Sequence, residues 1–115
     1  LFAYDQSIVT DDLVHMRYEA SIRPGYQETY AGMFPAPRQR HVRSLACDEG
    51  ALRALDKETL IVHGRDDRIV PVEASIRLHD LISPSQLYVL GHSGHWTQIE
   101  QNRRFCRLVV DFLAE

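Results

Sequence analysis

Hydrophobic and polar positions follow a clear strand and helix pattern in the second half of the chain. Two continuous apolar runs, residues 60–62 and 87–90, have the composition of strands that are covered on both faces. Between them, apolar residues recur at i, i+4, i+7 and i+8 from Ala74, which predicts a crossover helix. This order predicts a parallel strand pair. A last amphipathic helix, striped by apolar residues from Phe105, should pack on the sheet.

The first part of the chain has the pattern of two amphipathic helices followed by a polar connection. Thr10 is a candidate N-cap for the first helix, and the Pro24-Gly25 break ends that helix and starts the second. Pro35 stops the second helix, because proline has no N–H for the helix ladder and restricts the residue before it. We expect residues 38–55 to form one polar connecting helix.

Charge and composition narrow the class of partner. A net charge of −3 and a pI near 6.1 give no concentrated basic surface for nucleic acid or anionic lipid, so we expect a small-molecule substrate. No apolar run approaches the roughly 20 residues that span a bilayer, so we expect no membrane partner and a cytoplasmic location. Cys47 and Cys106 lack C-x-x-C spacing, which favours buried free thiols over a disulfide or a thiolate metal site.

Two ionisable residues lie just past the predicted strands, where parallel sheets bind ligands. Asp67 follows the first strand and His95 follows the second. They fit the second and third members of a nucleophile, acid and histidine triad, in the chain order that α/β-hydrolases use. Asp66 is the alternative acid, but the hydrolase turn is Gly-x-x-Asp, and counting from Gly64 favours Asp67.

The first member of such a triad, a serine on a Gly-x-Ser-x-Gly elbow, does not occur in this sequence. Ser93 lies in the histidine loop and is not the expected nucleophile. The chain also begins at Leu1, without methionine. We therefore expect the nucleophile and its oxyanion hole to lie outside these residues, in an enzyme whose C-terminal part this chain forms, and we expect the chain alone to be inactive.

Several other residues admit a structural and a functional interpretation. Trp96 either lines a pocket beside His95 or packs in the core. Arg17, on the first helix beside Tyr18, either has a structural role or holds a carboxylate through two hydrogen bonds. His63, at a strand end, is more simply a packed, hydrogen-bonded histidine than a catalyst. His92 is close to His95 in sequence, but zinc needs three or four convergent ligands, so we expect no metal.

Five segments carry a family resemblance: FAYDQS (2–7), RYEA (17–20), MFPAPRQR (33–40), HGRDDR (63–68) and GHWTQIE (94–100). Together they resemble the meta-cleavage-product hydrolases, α/β-hydrolase enzymes that cleave C–C bonds in bacterial aromatic degradation. The resemblance implies that residues 1–37 are the C-terminal part of a helical lid. Residues 38–115 would then be the C-terminal part of the hydrolase core, a mostly parallel sheet with flanking helices.

The resemblance also implies site roles and partners. Asp67 would be the triad acid, His95 the triad histidine, and Arg17 and Trp96 substrate-binding residues. It implies no cofactor, and a homo-oligomer in the full-length form. His92 and Ser93 replace the more usual residues before the Gly-His pair of this family, a change that could alter the pocket wall.

The expected reaction is hydrolysis of a C–C bond in a 2-hydroxy-6-oxo-dienoate, a ring-fission product of the 2-hydroxymuconic semialdehyde type. Two alternatives remain open. One is an esterase or lactonase of the same fold, which would have no need for Arg17 to hold a carboxylate. The other is a non-catalytic interaction module, because amphipathic helices beside a partial sheet would expose apolar surface.

Overall fold

The chain alternates short helices with two strands in a computed structural model that describes residues 1–114, without the side chains of residues 41–43. The elements in chain order are a 3-10 helix (Gln6–Ile8), α1 (Asp11–Ser21), α2 (Tyr26–Met33), α3 (Arg38–Ser44), α4 (Glu49–Arg53), β1 (Thr59–Gly64), α5 (Val72–Leu81), β2 (Ser85–Leu90), α6 (Thr97–Glu100) and α7 (Asn102–Leu113). Thr10 caps α1 as predicted, because its hydroxyl accepts a hydrogen bond from the N–H of Leu13 at 3.2 Å.

The two strands pair in parallel, which confirms the strand, helix, strand prediction. Thr59 lies opposite Ser85, and Gly64 lies opposite Leu90. Helix α5 connects the strands and packs on both of them. Since the strands run the same way and end level, the segments that follow them leave from one edge of the sheet. These segments are the acid turn (residues 65–68) and the histidine loop (residues 91–96).

A small core lies around this strand pair. Its buried apolar side chains are Ala3, Leu81, Ile82 and Leu90. Helix α7 packs on β1, as the stripe from Phe105 predicts. The strands are less covered than their composition suggests, since Tyr88 and Val89 of β2 are 39% and 41% exposed.

The chain divides into two compact units. Unit 1 contains Leu1–Ile8 and Glu49–Glu115, and therefore holds both strands. Unit 2 is Val9–Asp48 and contains α1, α2 and α3. The division that the family resemblance implies, at residues 37 and 38, stays a prediction, and residues 1–8 pack with the unit that holds the sheet. In the part of the chain that the structure describes, no helix is long and apolar enough to cross a membrane.

Two local predictions were wrong. Residues 38–55 form two helices, α3 and α4, because the chain leaves the helical conformation between Ser44 and Glu49. Cys47 and Cys106 are free thiols as expected, but both are exposed and not buried. Cys47 lies in the segment between α3 and α4, and Cys106 lies on the exposed side of α7, so neither thiol reaches the core.

Gly64→Ala should destabilise the protein by about 1–3 kcal/mol, because a close-packed site resists an added methyl group. A Cβ at this position would lie 2.6 Å from the carbonyl oxygen of Ser93 and 2.8 Å from Oγ1 of Thr97, and would also collide with the carbonyl of Gly94. Urea unfolding monitored by circular dichroism measures the change.

Gly32→Ala is the matched control. Gly32 lies within α2, and a Cβ there would meet no atom within 4 Å. Alanine at this position should stabilise the protein by about 0.4–1 kcal/mol by restricting the unfolded chain. Equal shifts of the two unfolding midpoints would contradict the close approach of the histidine loop to Gly64.

Candidate active site

Backbone hydrogen bonds connect the acid turn to the histidine loop and to the strand end before it. The N–H of Arg65 donates to the carbonyl of Leu90 at 2.8 Å, which extends the strand pairing by one step. The N–H of Asp66 then donates to the carbonyl of Ser93 at 2.9 Å. Two segments that are far apart in sequence therefore run side by side at the carboxyl edge of the sheet.

Asp67 and His95 form a direct hydrogen bond across these segments. Nδ1 of His95 lies 2.9 Å from Oδ2 of Asp67. A carboxylate can only accept, so Nδ1 carries the proton, and Nε2 of the neutral ring has a free lone pair. The Asp67 side chain is 6% exposed and that of His95 is 36% exposed. The pair can therefore take up a proton at Nε2 while the buried acid stabilises the resulting imidazolium.

Backbone groups of the acid turn hold the Asp67 carboxylate in place. Oδ1 accepts hydrogen bonds from the N–H of Ile69 at 2.7 Å and of Val70 at 3.0 Å. Burial raises the pKa of Asp67. The hydrogen bonds from His95, Ile69 and Val70 together lower this pKa by more than burial raises it, so the net pKa lies below the usual value. Asp67 is thus held in its charged form, which a triad acid requires.

His63 supports the acid turn from the strand side. Its Nδ1 accepts from the Ser75 hydroxyl at 2.7 Å, and its Nε2–H donates to the carbonyl of Val70 at 3.1 Å. The same Nε2 lies 3.8 Å from Oδ2 of Asp67. His63 is 8% exposed, so the interpretation of a packed, hydrogen-bonded histidine is confirmed. The hydrogen bond from His63 therefore holds Val70, whose N–H donates to Asp67.

Asp66 has a different contact from Asp67. Its Oδ2 accepts from the N–H of Ser93 at 3.3 Å and lies 3.5 Å from Nη2 of Arg65. Asp66 therefore ties the acid turn to the histidine loop, and the Gly-x-x-Asp count selected the carboxylate that faces His95. Ser93 itself is completely buried, and its hydroxyl has no hydrogen-bond partner among the described residues.

Trp96 lies in an aromatic cluster beside His95. The ring of Phe2 stacks on Trp96 at a centroid distance of 5.8 Å and lies 5.9 Å from the ring of His95. The sequence predicts the position of Trp96 next to His95, but it gives no signal for Phe2. The role of Trp96 in binding substrate stays a prediction.

Arg17 belongs to unit 2, and His92 lies in the histidine loop of unit 1. Arg17 is exposed on α1, within unit 2, so its predicted contact with a substrate carboxylate stays a prediction. His92 has a φ of 54°, in the left-handed region, and its ring lies 5.3 Å from that of Tyr4. Within the described residues, no group of three or more His, Cys, Asp or Glu side chains could hold a metal ion.

Residues 10–101 match the family model described as alpha/beta hydrolase fold. The chain belongs to the α/β hydrolase fold family. Its predicted fold is therefore confirmed, and the hydrogen-bonded Asp67 and His95 lie after consecutive parallel strands of a hydrolase core. The acid and histidine roles themselves stay predictions.

Individual hydrolases of this family are similar to the chain over nearly its whole length. It is 62% identical over 113 residues to a 2-hydroxy-6-oxo-2,4-heptadienoate hydrolase of Pseudomonas putida strain F1, covering 98% of this chain and 41% of that protein. It is 56% identical over 115 residues to a 2-hydroxymuconate semialdehyde hydrolase of Pseudomonas sp. strain CF600, covering 100% of this chain and 41% of that protein.

The chain is also similar to a solved structure. The meta-cleavage product hydrolase CumD from Pseudomonas fluorescens IP01, a mutant complexed with acetates, matches with a TM-score of 0.92 and 56% identity. The match covers 98% of this chain and 42% of CumD. The chain thus spans about two fifths of the length of these hydrolases.

The lowered pKa of Asp67 predicts a pH-dependent stability. Since its pKa is lower in the folded than in the unfolded chain, the charged form stabilises the fold above about pH 4, and this stabilisation is lost as the pH falls through the folded pKa. The free energy of unfolding should therefore decrease with falling pH below about pH 4, and less steeply in Asp67→Asn. Urea unfolding at a series of pH values measures both slopes.

Asp56→Asn is the control, because the Asp56 side chain is 81% exposed and pairs with the equally exposed Lys57. It should keep the acid slope of the unsubstituted protein. An acid slope in Asp67→Asn as steep as that of the unsubstituted protein would contradict the stabilised carboxylate.

Proposed function

We propose that the protein containing this chain hydrolyses a C–C bond in a 2-hydroxy-6-oxo-dienoate ring-fission product, of the 2-hydroxymuconic semialdehyde type. The observation that carries the proposal is the 2.9 Å hydrogen bond between Asp67 and His95, in a chain that is 56–62% identical to hydrolases of such dienoates. The bond leaves Nε2 of His95 free to move protons, as the reaction requires.

His95 has two tasks in this reaction. The dienol must first become a ketone, and Nε2 of His95 is the candidate that carries the hydroxyl proton to carbon. His95 then takes the proton from a serine whose oxygen bonds to the 6-oxo carbon. The bond to carbon 5 breaks, its electron pair leaves as a dienolate, and the imidazolium returns the proton to the dienolate oxygen. The products are 2-hydroxypenta-2,4-dienoate and, after water has cleaved the acyl-serine, a small carboxylic acid. Asp67 stabilises the imidazolium in both steps.

The remaining machinery follows from the same proposal. The serine and its oxyanion hole would lie in the part of the protein outside this chain, which spans 41% of its relatives. Arg17 would bind the substrate carboxylate, and Trp96 would line the pocket beside His95. The proposal needs no metal or organic cofactor. We also propose that the enzyme is cytoplasmic and forms a homo-oligomer.

His95→Ala in the protein containing this chain should lower kcat by roughly a thousandfold or more while the fold remains intact. Asp67→Asn should have a comparable effect, because the ring loses both its orientation and the charge that stabilises the imidazolium. Steady-state kinetics measure the change, with cleavage of the dienoate monitored through the loss of its absorbance.

Asp66→Asn is the matched control, since its carboxylate contacts the N–H of Ser93 and not the ring of His95. It should lower kcat only mildly. If Asp66→Asn proved the more damaging variant, the triad acid would be Asp66, and near-normal turnover by His95→Ala would exclude His95 from the reaction.

Arg17→Gln should separate a dienoate hydrolase from an esterase. A carboxylate that enters a mostly apolar pocket needs a fixed cation to replace its lost hydration. Because charge-assisted hydrogen bonds contribute about 1.5–3 kcal/mol, the variant should lose about ten- to a hundredfold in kcat/KM for the dienoate. Hydrolysis of a neutral p-nitrophenyl ester should change little.

Arg23→Gln provides the comparison, because Arg23 is another exposed arginine of unit 2, after α1. This variant should leave kcat/KM unchanged for both the dienoate and the ester. Equal losses on the dienoate and the ester in Arg17→Gln would assign Arg17 a structural role and favour the esterase.

A further inference from the structure

The segment of residues 1–5, the strap, lies directly against the histidine loop. The carbonyl of Phe2 accepts a hydrogen bond from the N–H of His95 at 2.7 Å. Gly94 is so close to the strap that a Cβ there would lie 2.7 Å from the Phe2 oxygen and 3.0 Å from the Tyr4 nitrogen. The strap therefore touches the backbone on which His95 is mounted.

Glu100, the last residue of α6, fastens the strap to this loop. Its Oε1 accepts from the N–H groups of Tyr4 at 2.7 Å and Asp5 at 2.9 Å. Its Oε2 accepts from the N–H of Gly94 at 2.6 Å. These are short, charge-assisted hydrogen bonds, and one carboxylate bridges two segments that are some 90 residues apart in sequence.

We propose that Glu100 is a positioning residue for His95. This inference rests on the proposed function and assigns a role to a group that contacts neither substrate nor the reacting atoms. The hydrogen bond to the N–H of Gly94 fixes the peptide group between Ser93 and Gly94. The strap held by Glu100 accepts from the N–H of His95 and so fixes the next peptide group. Three hydrogen bonds then determine the direction of Nε2: those at the N–H of Gly94, at the N–H of His95 and at Nδ1 of His95.

Two neighbouring side chains make the role of Glu100 specific. Thr97 Oγ1 donates to the carbonyl of Gly94 at 2.9 Å, and Nε2 of Gln101 donates to the carbonyls of Gly91 and His92 at 3.2 Å. Both residues hold carbonyls of the histidine loop alone. Glu100 is the residue of this group that links the loop to the strap.

Glu100→Gln is the direct test. An amide has the same shape but offers one acceptor and one donor, so either the strap or Gly94 then faces an NH₂ group in place of an acceptor. Loss of positioning should lower kcat for the dienoate by about ten- to a hundredfold and change KM by less than about twofold. Glu73→Gln, at an exposed carboxylate in the first turn of α5, should leave both constants unchanged.

A spectroscopic measurement reports on the strap without relying on activity. Trp96 follows His95 in the chain and stacks on Phe2 of the strap. In protein labelled with 5-fluorotryptophan, the ¹⁹F resonance of Trp96, assigned by its absence from Trp96→Phe, should shift in Glu100→Gln and remain in place in Glu73→Gln.

A lowered kcat together with a shifted resonance supports the proposal. An unchanged kcat overturns it, whether or not the resonance shifts, because the strap would then not position His95. If the unsubstituted protein fails to cleave the dienoate, the proposed function is wrong, and the resonance alone decides: a shift in Glu100→Gln supports the positioning role and no shift overturns it.

Phe2→Ala tests the same contact from the strap if Glu100→Gln does not fold. Phe2 is 46% exposed, so its truncation leaves the core intact. Loss of the aromatic contacts should lower kcat about two- to tenfold and shift the Trp96 resonance. An unchanged kcat and an unshifted resonance in Phe2→Ala would overturn the proposal.

Discussion

The parallel register of β1 and β2 is the constraint on which the candidate site depends. Gly64 lies opposite Leu90, so the acid turn and the histidine loop begin level with each other. Because one residue of strand spans about 3.3 Å, a register shift of a single residue would separate the Asp67 and His95 side chains beyond hydrogen-bond distance. The absence of a side chain at Gly64 then lets the histidine loop pass directly over the strand end.

The two partners of this hydrogen bond differ in burial, and the difference suits their chemistry. A nearly buried carboxylate would ordinarily take up a proton, since burial disfavours charge. Asp67 avoids this because hydrogen bonds from Ile69, Val70 and His95 favour its charged form. His95 is partly exposed, so its free nitrogen can reach a reacting molecule. In the proposed reaction the acid would thus be a fixed charge, and the histidine would be the group that moves protons.

Local patterns in the sequence predict the parts of this arrangement that depend on neighbouring residues. The strands, α5 and the cap of α1 follow from periodicity and residue type, and the convergence of parallel strand ends brings Asp67 to His95. The break between α3 and α4 was missed, because residues 45–48 between them contain no glycine or proline that would signal a helix stop. The contacts of Phe2 and Glu100 were also missed, since a pairing across more than 90 residues leaves no periodic signal.

The described hydrogen bonds that orient the acid and the histidine all come from unit 1. Asp67 is held by its own turn and by His63 through Val70, and His95 is held by Asp67 and by the strap. Arg17, the candidate for binding a substrate carboxylate, belongs to unit 2. Under the proposed function, unit 1 therefore carries proton transfer and the contact of Trp96 with substrate, and unit 2 carries the candidate carboxylate contact. Under that proposal, a substitution of Arg17 would alter carboxylate binding without removing any of the described hydrogen bonds that orient Asp67 and His95.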